Sequence, residues 1–190
     1  MHALVEQARG EVDQIRELID EVLFLSELES GSRVVSLGAV AVLPELAAVA
    51  GELEERASRV GVALAVAGDP GIELEVRPRM LRVVAQNLAE NAIRYAGPGA
   101  TFTLAVERDA GNVILRGTDD GVGVAESDLG RLFERFYRAD RARASRGTGL
   151  GLAIVKHVVT QAGGTVEARG GLGAGLEIRC ILPARRSALV

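Results

Sequence analysis

The run Gly147 Thr148 Gly149 Leu150 Gly151 Leu152 sets three glycines at alternate positions and leads straight into an apolar helical pattern from Ala153 to Val159. It fixes a tight loop running into a helix. Glycine admits backbone conformations and close approaches that a Cβ forbids, and the first turn of the helix behind it offers unpaired N–H groups and the positive end of the helix dipole. A junction of this kind can cradle an anion, phosphate above all. The same run also serves as a tight structural turn, so its meaning depends on what stands upstream.

The 190 residues are 48% apolar, which suits one globular domain with a short appendage. The most apolar stretch, Val34 to Leu43, contains Ser36 and Gly38 and falls short of the ~18 residues that a membrane span needs. Glu6, Glu11 and Asp13 do not fit a signal peptide. A single cysteine, Cys180, excludes an internal disulfide and fits a reducing compartment, so the expected location is cytoplasmic. A net charge of -4 gives no reason to expect nucleic acid or membrane as a partner. Local charge differs: Arg131, Arg135, Arg138, Arg141, Arg143 and Arg146 crowd the segment before the glycine run, against Glu134 and Asp140. That segment either faces a polyanion or is a solvated loop.

Val5, Ala8, Val12, Ile15, Ile19 and Val22 alternate at spacings of three and four, the seam of a heptad helix. Leu4, Leu18, Leu23 and Leu25 widen the apolar face, which predicts a bundle helix with more than one neighbour, stopping at Gly31 and Ser32. Residues 1–31 then form the appendage, 32–185 the main domain and 186–190 a tail. In the main domain a helix is expected from Pro44 to Gly61, then strands at Val62–Val66 and Ile72–Val76 around the turn Gly68 Asp69 Pro70 Gly71. Leu81, Val84, Leu88 and Ala92 give Pro78–Tyr95 the helical period. Phe102–Val106 and Val113–Arg116 form a hairpin turning at Asp109–Asn112. A helix over 148–162 and strands at Thr165–Ala168 and Leu176–Leu182 complete the pattern. Helices and largely antiparallel strands without a βαβ rhythm predict an α+β sandwich preceded by a long amphipathic helix.

On the helix 78–95, Asn87 and Asn91 share one face, with Glu90 on the neighbouring row. Asparagine is a mediocre helix former, so an interior pair is either solvent-facing or recruited, and an amide oxygen is a hard neutral donor suited to Mg²⁺. Asp119, at the end of a predicted strand, begins Asp119 Asp120 Gly121 Val122 Gly123 Val124. Its carboxylate could accept from the amino group of adenine while Gly121 and Gly123 leave bare backbone for a flat base, or it could cap a glycine-rich turn. Of six aromatic residues, Phe133, Phe136 and Tyr137 fall within one short segment. They pin a lid to the core, shape a partner surface, or do both.

In order and spacing, Asn87 to Asn91, Asp119 to Gly123, Leu132 to Arg138 and Gly147 to Leu152 resemble the N, G1, F and G2 boxes of sensor histidine kinase catalytic domains. The resemblance covers about residues 35 to 183, and Glu11 to Gly31 resembles the second helix of the family's dimerisation and phosphotransfer bundle. It implies a two-layer α/β sandwich, helices on one face of a mixed sheet, holding ATP beneath a lid of about residues 124–148. Asn91 would hold Mg²⁺ with Asn87 assisting, Asp119 would read adenine with Gly121, Gly123 and Val124 around the base, and Arg94 and Tyr95 would stand near the phosphates and the base. Gly147, Thr148, Gly149, Leu150, Gly151 and Leu152 would surround the triphosphate. Arg135 or Arg138 would stabilise charge on the transferring phosphoryl, with Lys156 a weaker candidate. The implied partners are ATP, a histidine-bearing helix of the same kinase, a response regulator receiver domain, and a second copy through residues 1–30.

Three departures stand out. Asp120 replaces an asparagine often found after the adenine-reading aspartate, and Leu176 replaces a threonine near the nucleotide. The third concerns the acceptor. His2 and His157 lack the acidic and proline residues that follow the family's phosphorylated histidine, so the acceptor is expected on a helix outside these residues. Two other classes share the fold: an autonomous gyrase-like or MutL-like ATPase, and a serine kinase that doubles as an interaction module. The ATPases carry a glutamate base where Asn87 stands, although Glu90 lies close by.

Overall fold

The computed structural model describes residues 12, 15, 16, 18–26, 35–139 and 147–184. His2, the expected helix stop at Gly31 and Ser32, Arg141, Arg143 and Arg146, and the tail 186–190 lie outside the described residues.

Residues 18–26, with the described residues 12, 15 and 16, are helical and form α1. Its wide apolar face divides in two. Leu25 joins the core, and Leu18 and Phe24 pack against it, with the Arg79 guanidinium 5.5 Å from the centre of the Phe24 ring. Val12, Ile15, Ile19, Val22 and Leu23 are exposed.

β1 (Val35–Ala41) runs directly into α2 (Val42–Arg59), which holds Pro44 in its first turn, where a missing N–H costs little. α2 buries Val42, Leu46, Val49, Leu53 and Ala57, a stripe at helical spacing. β2 (Ala63–Gly68) and β3 (Glu73–Val76) lead to α3 (Pro78–Tyr95), which has the expected bounds and opens on its proline. β4 (Thr101–Asp109) and β5 (Asn112–Asp119) form the predicted hairpin; Ala110 and Gly111 take φ of 47° and 85°, the paired left-handed geometry of a two-residue turn. After the short α4 (Glu126–Leu129) come α5 (Gly151–Gln161), β6 (Thr165–Gly170) and β7 (Leu176–Pro183). α5 starts three residues later than the pattern predicts, because Gly149 at φ 74° keeps Thr148 to Leu150 in a loop.

Five strands form one sheet in the order β2-β4-β5-β7-β6, and β1 pairs with β3 in a separate antiparallel ribbon. The β2/β4 pair is parallel and the other three pairs are antiparallel. The parallel pair follows from the connection, since β2 reaches β4 only through β3 and α3, a crossover long enough to return the chain to the same end. β1 was not announced by the sequence: its pairing with β3 shifts register between Val35 and Val40, which breaks the period of two.

Phe102, Leu104 and Val106 of β4, Val113 and Leu115 of β5, and Leu176, Ile178, Cys180 and Leu182 of β7 form the buried face under α2, α3 and α5. Burial pushes the Cys180 thiol up to about 12, so it is an inert piece of core. The opposite face carries charge, with Arg116 paired to Glu107 at 3.0 Å and to Glu177 at 3.9 Å, and Arg179 to Glu167 at 3.5 Å. The result is a two-layer, mixed α/β fold with helices on one face of a mostly antiparallel sheet.

α3 lies close on the sheet because β5 has no side chain beneath it at Gly117. A Cβ there would sit 3.0 Å from the Phe102 ring and 3.2 Å from Leu88 Cβ. Gly117→Ala should therefore destabilise the domain by about 1–3 kcal/mol, against the small gain that a glycine replacement brings through the unfolded chain. Urea denaturation checks the sign, and an unchanged midpoint would refute this packing.

Candidate functional site

A cavity of about 470 Å³ opens between α3, the start of α5, the loop after β5 and the segment 125–139. From α3 it takes Asn87, Glu90, Asn91, Arg94 and Tyr95; from the loop after β5, Val122, Gly123 and Val124; from the glycine run, Thr148, Gly149, Gly151 and Leu152. Arg138 also lines it. Leu132 and Tyr137 line it too, so residues of all four expected motifs meet around one space. Asp119, Gly121, Arg135, Gly147 and Leu150 are not on its wall. Leu150 is buried in the core, Arg135 is exposed, and the exposed Lys156 lies outward on α5.

The Asn87 amide donates from Nδ2 to the Val83 carbonyl at 2.8 Å, one turn earlier on α3. Its oxygen then faces the start of α5, where a Cβ on Gly151 would lie 2.7 Å from Oδ1. The glycine motif is thus fitted against the asparagine motif, and this contact is the physical reason Gly151 has no side chain. Glu90 is held differently: its carboxylate takes Arg56 at 2.8 Å, Gln86 at 3.2 Å and Arg94 at 3.9 Å. A carboxylate gripped by two guanidiniums orients Arg94 and is poorly placed to take a proton from water.

Asp119 closes β5 and is 7% exposed, lying beside Leu176, its partner in the β5/β7 ladder. Burial raises its carboxyl above the ordinary carboxylate range; hydrogen bonds from the Gly121 and Leu176 amides work the other way, and the neighbouring Asp120 adds to the rise. The Gly121 N–H donates to Oδ1 at 2.9 Å. Gly121 itself presses on the Ala96 carbonyl at the end of α3, and the next residue, Val122, donates its N–H there at 2.9 Å. Asp120 accepts the Thr101 N–H at 2.6 Å, a role that needs only an acceptor oxygen, so it ties the strand ends together as an asparagine oxygen would. Leu176 lines the cavity next to Asp119, putting a methyl-rich surface where a hydroxyl was expected.

Over the cavity, Tyr137 donates its hydroxyl to Asp128 at 2.8 Å, and the Arg131 guanidinium lies 4.2 Å from the centre of the Tyr137 ring. Leu132 and Phe133 pack against the core, whereas Phe136 is exposed and holds a φ of 62°, rare for a bulky residue. The Phe136 N–H donates to the Gly149 carbonyl at 2.9 Å, fastening this segment to the glycine loop. The aromatic cluster therefore divides its labour: Phe133 anchors, Tyr137 lines the cavity and Phe136 faces outward.

Two acidic wall residues were not marked by the sequence, nor were Ala125, Ser127, Ala139 and Leu172 beside them. Asp128 belongs to a short acidic turn with no periodic signal. Glu21 comes from α1, and its carboxylate accepts the Thr148 hydroxyl; the two are 127 residues apart, and nothing local announces the contact. No described helix is long and apolar enough to cross a membrane.

A sequence model of the family described as "Histidine kinase-, DNA gyrase B-, and HSP90-like ATPase" matches residues 76–186. The Sensor-like histidine kinase SenX3 of Mycolicibacterium smegmatis is 31% identical over 180 residues, 94% of this chain and 47% of SenX3. Among solved structures, full-length ShkA in complex with AMPPNP is similar with a TM-score of 0.79 and 30% identity, over 96% of this chain and 38% of that one. The mycobacterial sensor histidine kinase MprB is similar with a TM-score of 0.70 and 28% identity, over 77% of this chain and 97% of that one. The chain spans less than half the length of SenX3. It belongs to the histidine kinase-, DNA gyrase B-, and HSP90-like ATPase family, as an ATP-binding catalytic domain of the histidine kinase type.

Proposed function

We propose that the chain binds Mg-ATP in the cavity between α3 and α5 and donates the γ-phosphoryl to a histidine on a bundle helix outside these residues. The observation that carries this reading is the meeting of Asn87, Asn91, Arg94, Arg138 and the glycine loop around one space. In this reading the base lies toward Asp119, Val122, Gly123, Val124 and Leu176. The triphosphate runs toward Thr148, Gly149 and Gly151 at the start of α5, where open N–H groups and the dipole favour negative charge. Arg94, steered by Glu90, and Arg138 supply positive charge to the phosphates, and Arg135 is the second candidate on the lid.

The donor set fits a cation shared with phosphate. Asn91 and Asn87 offer neutral amide oxygens, and among the described residues no three His, Cys, Asp or Glu gather to enclose a metal unaided. Mg²⁺ bound with the nucleotide would neutralise phosphate oxygens there. The complex of ShkA with AMPPNP supports the nucleotide assignment by likeness. Residues 1–31 are proposed as the second bundle helix, 32–185 as the catalytic domain, with a second copy docking on the exposed heptad face of α1 and a receiver domain accepting the phosphoryl afterwards. The setting is cytoplasmic. An autonomous ATPase fits less well, because an amide stands at position 87 and Glu90 is engaged by Arg56 and Arg94.

Purified chain with Mg-ATP should hydrolyse slowly alone, yet label a separately supplied histidine-bearing bundle fragment from a similar kinase; rapid hydrolysis without a partner sinks the reading. Asn91→Ala should lower that transfer by at least tenfold and weaken the dependence of nucleotide binding on Mg²⁺, as titration calorimetry with and without the cation would register.

Asp119 gives a pH test. Its native-state pKa is raised, so ionisation costs folding stability, and the domain loses stability as pH climbs from the ordinary carboxylate range, near 4, through the raised value. Nucleotide binding has the opposite sign, since the ionised carboxylate is the acceptor for the adenine amino group. Affinity should therefore fall on acidification with a midpoint above the ordinary range, and Asp119→Asn should bind weakly with no such midpoint.

A further inference from the structure

We propose that α1 is a latch on the triphosphate end of the cavity, in which the Glu21 carboxylate stands in for phosphate, so that a docked α1 and a bound nucleotide oppose one another. The proposal rests on the nucleotide reading above and adds to it a competitor built into the chain. Glu21 lines the cavity although it belongs to no element of the sandwich. The Thr148 hydroxyl donates to Glu21 Oε2, while its oxygen accepts the Leu150 N–H at 3.2 Å. This small relay places an anion beside the first turn of α5.

That helix start has no anion of its own. The N-cap residue Leu150 makes no side-chain capping bond, and the first turn of α5 contains no acidic residue. Its own sequence supplies only the neutral Thr148 hydroxyl at this end, and the negative charge there comes from a distant helix. A triphosphate reaching the same N–H groups would meet the Glu21 charge in a partly buried space, where like charges repel strongly.

The latch is also hung to open. α1 is held to the body by Leu18, Phe24, Leu25 and the Arg79 contact over Phe24, while Val12, Ile15, Ile19 and Val22 remain exposed. Among the described residues of α1 only Leu25 is buried, and an element with few buried groups belongs to the part of a structure that opens at low cost. Linkage then works in both directions: whatever factor the docked helix takes from nucleotide affinity, bound nucleotide takes from docking.

The test is the affinity of the whole chain for AMP-PNP by titration calorimetry, with and without Mg²⁺, combined with hydrogen exchange on α1. Glu21→Gln keeps shape and removes charge, and it should tighten binding by about fivefold or more, the lower range of coupling between sites. Leu25→Asp should do the same by undocking the helix, with circular dichroism confirming that the sandwich stays folded. In the unaltered chain, AMP-PNP should speed exchange of the α1 amides. Equal or weaker binding by Glu21→Gln overturns the latch, as does slower exchange of α1 with nucleotide. A loss of affinity confined to Mg²⁺-containing samples would make Glu21 part of the productive site and overturn it too. If no form binds nucleotide, the ATP reading falls and the latch falls with it.

Discussion

Helix α3 is approached closely at three glycines: Gly117 of β5, under the Leu88 side chain, Gly121 of the loop after β5, against the Ala96 backbone, and Gly151 at the start of α5, against the Asn87 amide. Each approach settles a different part of the molecule. At Gly117 the helix is set down on the sheet, with small residues Ala85, Ala89 and Ala92 on its buried side. At Gly121 the end of α3 is joined to the end of β5 through the Ala96 carbonyl, which fixes Asp119 against the floor. At Gly151 the amide face of α3 is brought against a helix N-terminus. Widen any one of them by a methyl group and the cavity changes shape, because interiors packed at this density transmit displacement rather than absorb it.

The charges around the cavity are arranged in layers with separate duties. Outermost, Arg56 grips Glu90, and Glu90 steers Arg94, so a carboxylate on the cavity wall is spent on orienting a cation. Innermost, Asp119 is nearly dry, and the cost of burying its charge is only partly offset by two backbone amides. A group held in that condition gains more than an exposed aspartate would from any further donor, and the amino group of adenine is one. Leu176 beside it excludes water without competing for that donor. In the proposed nucleotide reading, the departure from the threonine pattern would leave base recognition resting more heavily on a single carboxylate.

What the sequence made legible follows from how local each signal is. α3 was found with its bounds because its period, its opening proline and the Gly97 Pro98 Gly99 stop are all contained in the segment. The β4/β5 hairpin was found for the same reason. β1 was hidden by a register shift and by the helix that begins directly after its last residue, and the parallel placement of β2 depends on a crossover that no strand records. In the cavity, Asn87, Asn91, Arg94, Tyr95 and the glycine run came from ordered motifs. Glu21, 127 residues from Thr148, had no such marker. Tyr137 was visible as an aromatic, but its hold on Asp128 was not, since a hydrogen bond across a turn has no spacing rule.

The divided face of α1 bears on how the two halves of such a protein communicate. Leu18 and Leu25 stand seven residues apart, as do Ile15 and Val22 and, again, Val12 and Ile19, so the inward and outward stripes are both heptad stripes, rotated about the same axis. A helix neighbour that wanted the full width of this face would need Leu18 and Leu25 as well as the exposed set, and could have them only by drawing α1 off the catalytic body. Glu21 lies between Leu18 and Leu25 on the inward side and would leave with them. Under the proposed latch, bundle packing and cavity access would be coupled without any long-range pathway, because both would draw on the same two leucines.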